Sequence, residues 1–374
     1  METVKGFNDY TGEEAVKRAE IKKIIVDTFE RYGFKPAETP IIEYEDFVKG
    51  ENTGDEAVSD IFKLKDKGER NLALRYEFTF QLKRLMKNQK LPFKRYQIGE
   101  VFRDEPVSSN RFRQFVQCDA DVVGSDIRTE ADILALANEI LTRVGIKPVI
   151  LINNRKLLNE ILDKEGIKDK TAVMKELDKY DKLPENEVKQ NLKKYKADKL
   201  IDSFKKGESY FKKFESYKEI IALIAYCKAY GIKVLFSPTI IRGLSYYNGS
   251  IFEIKIKGIR ETIVAGGSYM FNGVQSTGIS FGLDRISQLV KLEDKRDRYL
   301  VVSLNKDLKS IKLVQKLRKE GKIVSIFYGK PSKALEYANS YKINKVIFVG
   351  SEELKKKLFK IKDMNSGKES ALKI

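Results

Sequence analysis

The sequence predicts an α+β chain that closes with a separate small α/β domain. Three observations predict it. The stretch Arg95–Gly124 reads as two strands joined by a polar, arginine-bearing loop, which is an antiparallel hairpin. Strands return after a lysine- and glutamate-rich helical stretch at about 165–232. From residue 298, short apolar strands alternate with amphipathic helices, the pattern of parallel βαβ units. The 374 residues suffice for two or three domains, and a hydrophobic content of 42% supports a real core.

Residues 11–33 read as a helix. Thr11 and Glu14 are spaced as a capping box, and Ala15, Ala19, Ile24, Ile25 and Phe29 form an apolar stripe. Gly33 suits the position just past the helix end. FKPAETPIIEYEDFVKG (34–50) is extended, because Pro36 and Pro40 exclude a regular helix. DIFKLKD (60–66) and RNLALRYEFTF (70–80) read as strands, and 80–90 as a basic helix. After the hairpin, Arg128–Val144 is a strongly periodic helix and PVILINN (148–154) a buried strand. The helical insertion ends in a helix over Ile220, Ile221, Ile224 and Cys227, with Gly231 as its stop. Its charges read as a solvated face. KVLFSPT, SIFEIKIK and TIVAGG are strands, and GISFGLDRISQLV runs from a strand or turn into a helix. KLEDKRDR (291–298) is the linker. In the last domain Leu308, Ile311, Val314 and Leu317 line the first helix, and Gly321 ends it. This divides the chain into a domain over 1–292 and another over 298–374.

Composition excludes much chemistry. The chain has no histidine, so a Ser-His-Asp triad, a Cys-His pair and a histidine zinc site are impossible. Its two cysteines, Cys118 and Cys227, build neither a CxxC motif nor a four-cysteine site. Catalysis is left to carboxylates, arginine, lysine, tyrosine, backbone dipoles or a bound ion. The expected ion is Mg2+, held by carboxylates and substrate phosphates. The net charge of +18 favours polyanionic partners, although scattered lysine alone also accounts for it. No apolar run approaches the ~20 residues of a membrane span. The N-terminus lacks the apolar core of a secretory signal. A cytoplasmic protein without a membrane partner is expected.

The hairpin carries Arg103, Glu105, Arg111, Arg113, Asp119 and Asp121 among apolar residues. Buried charge is costly unless paired, so the hairpin is either a solvated edge or a platform for a ligand. In LRYEFT (74–79), Glu77 and Thr79 are two apart, hence on one face of a strand. Gln117, Asp119 and Asp121 alternate likewise on the return strand. IIRGLSYYNG (240–249) sets Arg242 beside Gly243 and the pair Tyr246 and Tyr247, and GISFGLDR ends on Arg285. Arginines in three such settings suit a polyphosphate gripped from several sides. Phe115 offers a stacking face for a base. Glu77, Gln117 and Asp121 suit a cationic small molecule.

In this order the segments resemble a class II aminoacyl-tRNA synthetase, and specifically the histidyl-tRNA synthetase family, over nearly the whole chain. ETPIIE resembles motif 1, which forms the family's dimer interface. QIGEVFRDE with RFRQF resembles motif 2, and GISFGLDR resembles motif 3. LRYEFT, RFRQFVQCDAD and RGLSYY carry the histidyl character. QCDAD is closer to the archaeal and eukaryotic form of the family. IKDMNSG (361–367) resembles the closing strands of the anticodon-binding domain.

The resemblance implies an antiparallel sheet flanked by helices, a helical insertion and a C-terminal α/β anticodon-binding domain. It implies a homodimer that attaches histidine to tRNA(His) through a histidyl-adenylate, with ATP as a substrate. Arg103 would grip the α-phosphate and the amino-acid carboxylate, with Arg242 opposite. Glu105 would read the adenine amino group, Arg111 the outer phosphates, and Phe115 would stack under adenine. Arg285 would cover the other side of the nucleotide. Glu77, Thr79 and Gln117 would hold the α-amino group, and Asp121 and Tyr247 the imidazole, with Tyr246 nearby. The metal ligands stay unassigned. The chain departs from the family at Ser245, where RGLDYY has aspartate, and at Ser268 and Met270, where GGRYD has arginine and aspartate. Two other readings are an inactive paralogue regulating histidine biosynthesis and a non-catalytic RNA-binding protein. A class I synthetase is excluded because no His-Ile-Gly-His motif exists.

Overall fold

The computed structural model describes residues 1–50, 56–108, 111–180, 183–241, 246–259, 261–292, 296–356 and 358–373. The chain forms two compact units, Met1–Leu292 and Glu293–Ile374.

The first unit is built on an eight-stranded sheet. Its order is Lys35–Pro36, Phe93–Phe102, Gln114–Val123, Val274–Gly282, Val264–Phe271, Tyr247–Ile256, Pro148–Asn154 and Val234–Phe236. The six strands between the two short edges pair antiparallel; the edge strands add in parallel. The hairpin Phe93–Val123 is therefore no exposed edge. Its return strand is hydrogen-bonded on both sides and buried on both faces. Val116, Cys118, Ala120 and Val122 point into the main core with Ile25 and Phe29 of the first helix and with the helix Ile127–Arg143. Period-two geometry sends Gln117, Asp119 and Asp121 to the opposite face. That helix starts on a true capping box: the Asp126 carboxylate accepts from the Arg128 and Thr129 amides at 2.9 and 3.1 Å.

Several local expectations are corrected. Thr11 is the N-cap of the helix Gly12–Arg31, but its side chain caps nothing, and Glu14 instead pairs with Lys17 at 2.7 Å. Gly33 takes φ +79° past the end of that helix. LRYEFT is strand only at its first residue: Asn71–Leu74, the middle of a separate three-stranded sheet with Ile42–Tyr44 and Lys63–Lys65, stops after Leu74. The Tyr76 and Phe78 carbonyls then accept from the guanidinium groups of Arg103 and Arg95, at 3.2 and 3.1 Å, in place of a strand ladder. The basic helix shrinks to Leu82–Leu85, and the backbone reaches φ +67° at Asn88. The helix Tyr217–Ala229 buries Tyr217, Ile220, Leu223 and Cys227 and leaves Ile221 exposed.

In the second unit, parallel strands Ile323–Tyr328, Arg298–Ser303 and Lys345–Val349 adjoin an antiparallel pair, Leu358–Asp363 and Glu369–Lys373. Val301 faces one helical layer while Leu300 and Val302 face another, so both sides of the central strand are covered. The helix Asp307–Lys319 buries Ser310, Leu313, Val314 and Leu317; Leu308 and Ile311 face solvent. A stripe at 310, 313, 314 and 317 follows helical spacing more closely than one through 308 and 311.

Candidate functional site

Above the polar face of the large sheet lies a cavity of about 1030 Å³. It is lined by Glu77, Thr79, Arg103, Glu105, Arg111, Phe115, Gln117, Asp121, Tyr246, Tyr247 and Arg285. These candidates, spread over more than two hundred residues of sequence, meet in one place. Arg242 lies outside the described residues, as do Gly243, Leu244 and Ser245.

One end of the cavity is acidic and buried. Asp121 forms an ion pair with Arg95 at 2.8 Å and accepts from the Tyr269 hydroxyl at 2.7 Å. Beside it, the Gln117 amide donates to Ser280 Oγ at 2.7 Å and points at the Asp119 carboxylate from 3.4 Å. Gln117 Oε1 is buried without a partner. Burial pushes the Asp119 carboxyl up to about 7, with the charges of Asp121 and Glu77 adding to the rise and Arg95 opposing it. Burial likewise pushes Glu77 up to about 7, against the nearby positive charge of Arg103. Tyr246 contacts Tyr247 and Tyr269 at ring distances of 4.8 and 5.6 Å. Burial raises both Tyr246 and Tyr269 well above the usual phenol range, so their hydroxyls remain donors. Gly278 is needed here: a Cβ on it would overlap the Asp121 carboxylate.

The other end is rich in arginine. Arg103 lies 5.2 Å from the Phe115 ring centroid and 3.8 Å from Glu105, which is 3.5 Å from the half-exposed Arg111. Arg285 Nη1 donates to the Thr262 carbonyl at 2.8 Å from the helix Leu283–Leu289. Guanidinium forks at this spacing match phosphate oxygens. The preceding residue, Asp284, anchors that helix. Its carboxylate accepts from the Tyr10 hydroxyl, Arg18 and the Val116 amide at 2.8, 2.9 and 2.8 Å.

Arg95, Tyr269, Ser280 and Asp284 escaped sequence reasoning, and Asp119 was seen but given no role. A signal for Arg95 existed. The register that pairs Phe102 with Gln114 also sets Arg95 opposite Asp121 and Gln97 opposite Asp119. Tyr269 and Ser280 meet the cluster only through strand pairings remote in sequence.

Of the family departures, Ser245 lies outside the described residues and Ser268 lies behind the cavity wall. Ser268 points away from Tyr269 and donates to buried Glu130, whose carboxyl burial raises. Met270 is exposed. Among the described residues, no three acidic or cysteine side chains converge as a metal cage. No helix among them is long and apolar enough to cross a membrane.

Two family models match the chain: "Histidyl-tRNA synthetase" over residues 6–286 and "Anticodon binding domain" over 299–374. A histidine–tRNA ligase of Bacillus cereus is 35% identical over 99% of this chain and 94% of its own length. One from Clostridium acetobutylicum is 30% identical over 99% and 97%. Among solved structures, histidyl-tRNA synthetase from Nostoc superposes with a TM-score of 0.87 at 26% identity, covering 100% of this chain and 96% of that one. A chain from Bacillus halodurans, described as an ATP phosphoribosyltransferase regulatory subunit/histidyl-tRNA synthetase, shares the fold at TM-score 0.79 and 20% identity, covering 93% and 97%.

Proposed function

The chain belongs to the histidyl-tRNA synthetase family and joins histidine to tRNA with ATP as co-substrate, and we propose that the cavity over the large sheet is where the two small substrates meet. One observation carries the assignment of ends. Buried carboxylates gather at one side of a single cavity and arginines at the other, with Arg103 between Glu77 and Phe115.

In this reading ATP lies along Arg103, Arg111 and Arg285 with its adenine on Phe115 and its amino group at Glu105. Histidine places its α-ammonium at Glu77, Thr79 and Gln117, and its ring at Asp121 and Tyr247 with Tyr246 beside it. Its carboxylate then faces the α-phosphate. A carboxylate oxygen forms the new P–O bond, the bond to the β-phosphate oxygen breaks, and pyrophosphate leaves with the electron pair. Arg103 and Arg242 would neutralise charge developing on the α-phosphate, which requires positioning and fixed charge rather than proton transfer. In the second step the terminal ribose hydroxyl of tRNA(His) attacks the carbonyl carbon, AMP leaves, and a phosphate oxygen of the adenylate takes the proton. A histidine-free chain suffices for both steps.

Mg2+ fits as a partner of the phosphates. Among the described residues the cavity carries hard carboxylate oxygens but no protein cage, the donor set of an ion bound mainly through substrate. Glu253, which lines the cavity and accepts from the Thr262 hydroxyl at 2.9 Å, would hold it. When bound, the ion would neutralise phosphate charge. We further assign a cytoplasmic homodimer formed through ETPIIE, where Ile41, Ile42 and the adjoining Tyr44 expose 40, 50 and 58% of their surface. QCDAD keeps its likeness to the archaeal and eukaryotic form, although the relatives cited are bacterial.

Pyrophosphate exchange with each amino acid in turn tests the reading. Exchange with histidine alone, abolished in Arg103→Ala and Arg242→Ala, is expected. Binding of tRNA without any exchange would establish the RNA-binding alternative instead.

A further inference from the structure

Three buried carboxylates, Glu77, Asp119 and Asp121, converge on one end of the cavity, and among the described residues Arg95 is the cation buried with them. Arg95 already pairs with Asp121. Asp119 meets a distant Gln117 amide and the Ser280 hydroxyl, both neutral. Across the strand it faces Gln97, whose Oε1 has no partner. Among the described residues, the other ionisable groups facing this pocket are Arg103 toward Glu77 and the phenols of Tyr246, Tyr247 and Tyr269. With all three carboxylates ionised, Arg95 cancels one charge and an α-ammonium a second, while Arg103 is matched by the amino-acid carboxylate it grips in this reading. One negative charge is left over in a desolvated place, where an unpaired charge is costly.

We propose that Asp119 is a specificity-determining residue which, with Asp121, makes the pocket take histidine with one proton more than it carries in neutral solution. This rests on the reading of the acidic end as the histidine site. The imidazole is the only part of histidine that accepts a proton near neutral pH. The proton comes from solvent and sits on the ring nitrogen facing Asp119, or is shared across that contact. Either position removes the leftover charge, and no other co-reactant is needed. A side chain of the same shape that cannot be protonated leaves Asp119 uncompensated and is rejected. Burial raises Glu77 and Asp119 in the same direction before a ligand arrives.

The experiment is calorimetric titration of histidine into the whole protein at pH 8, in buffers of different ionisation enthalpy. At that pH free imidazole is essentially neutral and the two raised carboxyls are mostly ionised. Uptake of close to one proton is expected for the unsubstituted protein, and uptake near zero for Asp119→Asn. The variant keeps histidine-dependent pyrophosphate exchange, with KM for histidine raised roughly 10- to 100-fold and kcat changed far less. Triazolylalanine, whose ring is far less basic, is expected to be disfavoured by the unsubstituted protein and to close that gap in the variant. Histidine binding without proton uptake, or uptake persisting in Asp119→Asn, overturns the proposal alone. Absence of any histidine binding to the unsubstituted protein overturns the reading of the site, and the proposal with it.

Discussion

Replacing Arg95 with methionine removes, among the described residues, the buried cation of the acidic pocket. Arg95 is 1% exposed and sits 2.8 Å from Asp121, itself 5% exposed. Breaking a buried pair in this way typically costs about 3–5 kcal/mol, because the surviving charge is stranded. Here a ceiling applies. The stranded Asp121 can take a proton, and at pH 7 protonating a carboxyl of ordinary pKa costs about 4 kcal/mol. The Tyr269 hydroxyl still donates to Asp121 at 2.7 Å, which offsets part of the loss. The expected loss at pH 7 is therefore roughly 3–4 kcal/mol. The route through protonation becomes cheaper by about 1.4 kcal/mol per unit of acidification, so the loss falls to about 2 kcal/mol at pH 5.5. Adding Asp121→Asn to Arg95→Met recovers most of the stability, since neither partner is then charged. Urea unfolding followed by far-ultraviolet circular dichroism at the two pH values measures all three quantities. A loss below about 1 kcal/mol at pH 7, a loss independent of pH, or a double variant less stable than the single one would refute the reasoning.

Other perturbations follow from the same geometry. Gly278→Ala brings a Cβ onto the Asp121 carboxylate. It should raise KM for histidine at least roughly tenfold while leaving KM for ATP within about twofold, and steady-state exchange kinetics separate the two. Asp284→Asn leaves an amide where Tyr10, Arg18 and the Val116 amide all donate. It should cost about 2–3 kcal/mol in urea unfolding and raise KM for ATP through displacement of Arg285. For pH, the folded-state values of Glu77 and Asp119 are raised, so the folded chain holds protons that the unfolded chain has released. Their stabilisation is complete below the ordinary carboxylate range near 4 and is lost as pH rises to about 7. Glu77→Gln should accordingly gain melting temperature over the unsubstituted, ligand-free protein at pH 8 and show no gain at pH 4, read by thermal scans; an equal difference at both would contradict the assigned burial.

How much of this was legible in sequence depends on the range of each interaction. The segments LRYEFT, RFRQF, QCDAD, RGLSYY and GISFGLDR marked residues that meet in one cavity, because residue type and local spacing declare what a side chain can bind. The parallel alternation after residue 298 declared its own strands for the same local reason. Helix phase was legible less well: Ile221, Leu308 and Ile311 are exposed because the neighbour that buries a helix face is chosen by packing, not by the helix.

The sequence by itself determined the chemistry on offer: no histidine, arginines for phosphate, carboxylates and tyrosines for a small cation, and a family signature over nearly the whole chain. Only the tertiary structure decided that the charged hairpin lies inside the sheet, that Arg95 stands opposite Asp121, and that Tyr269 and Ser280 complete the acidic end. It also ended the strand inside LRYEFT at Leu74 and gave the Tyr76 and Phe78 carbonyls to arginine side chains in place of a strand ladder. The physical reason is common to all of these. What a residue can do is set by its own atoms, whereas the cost of its charge and the identity of its partner are set by what the fold packs around it.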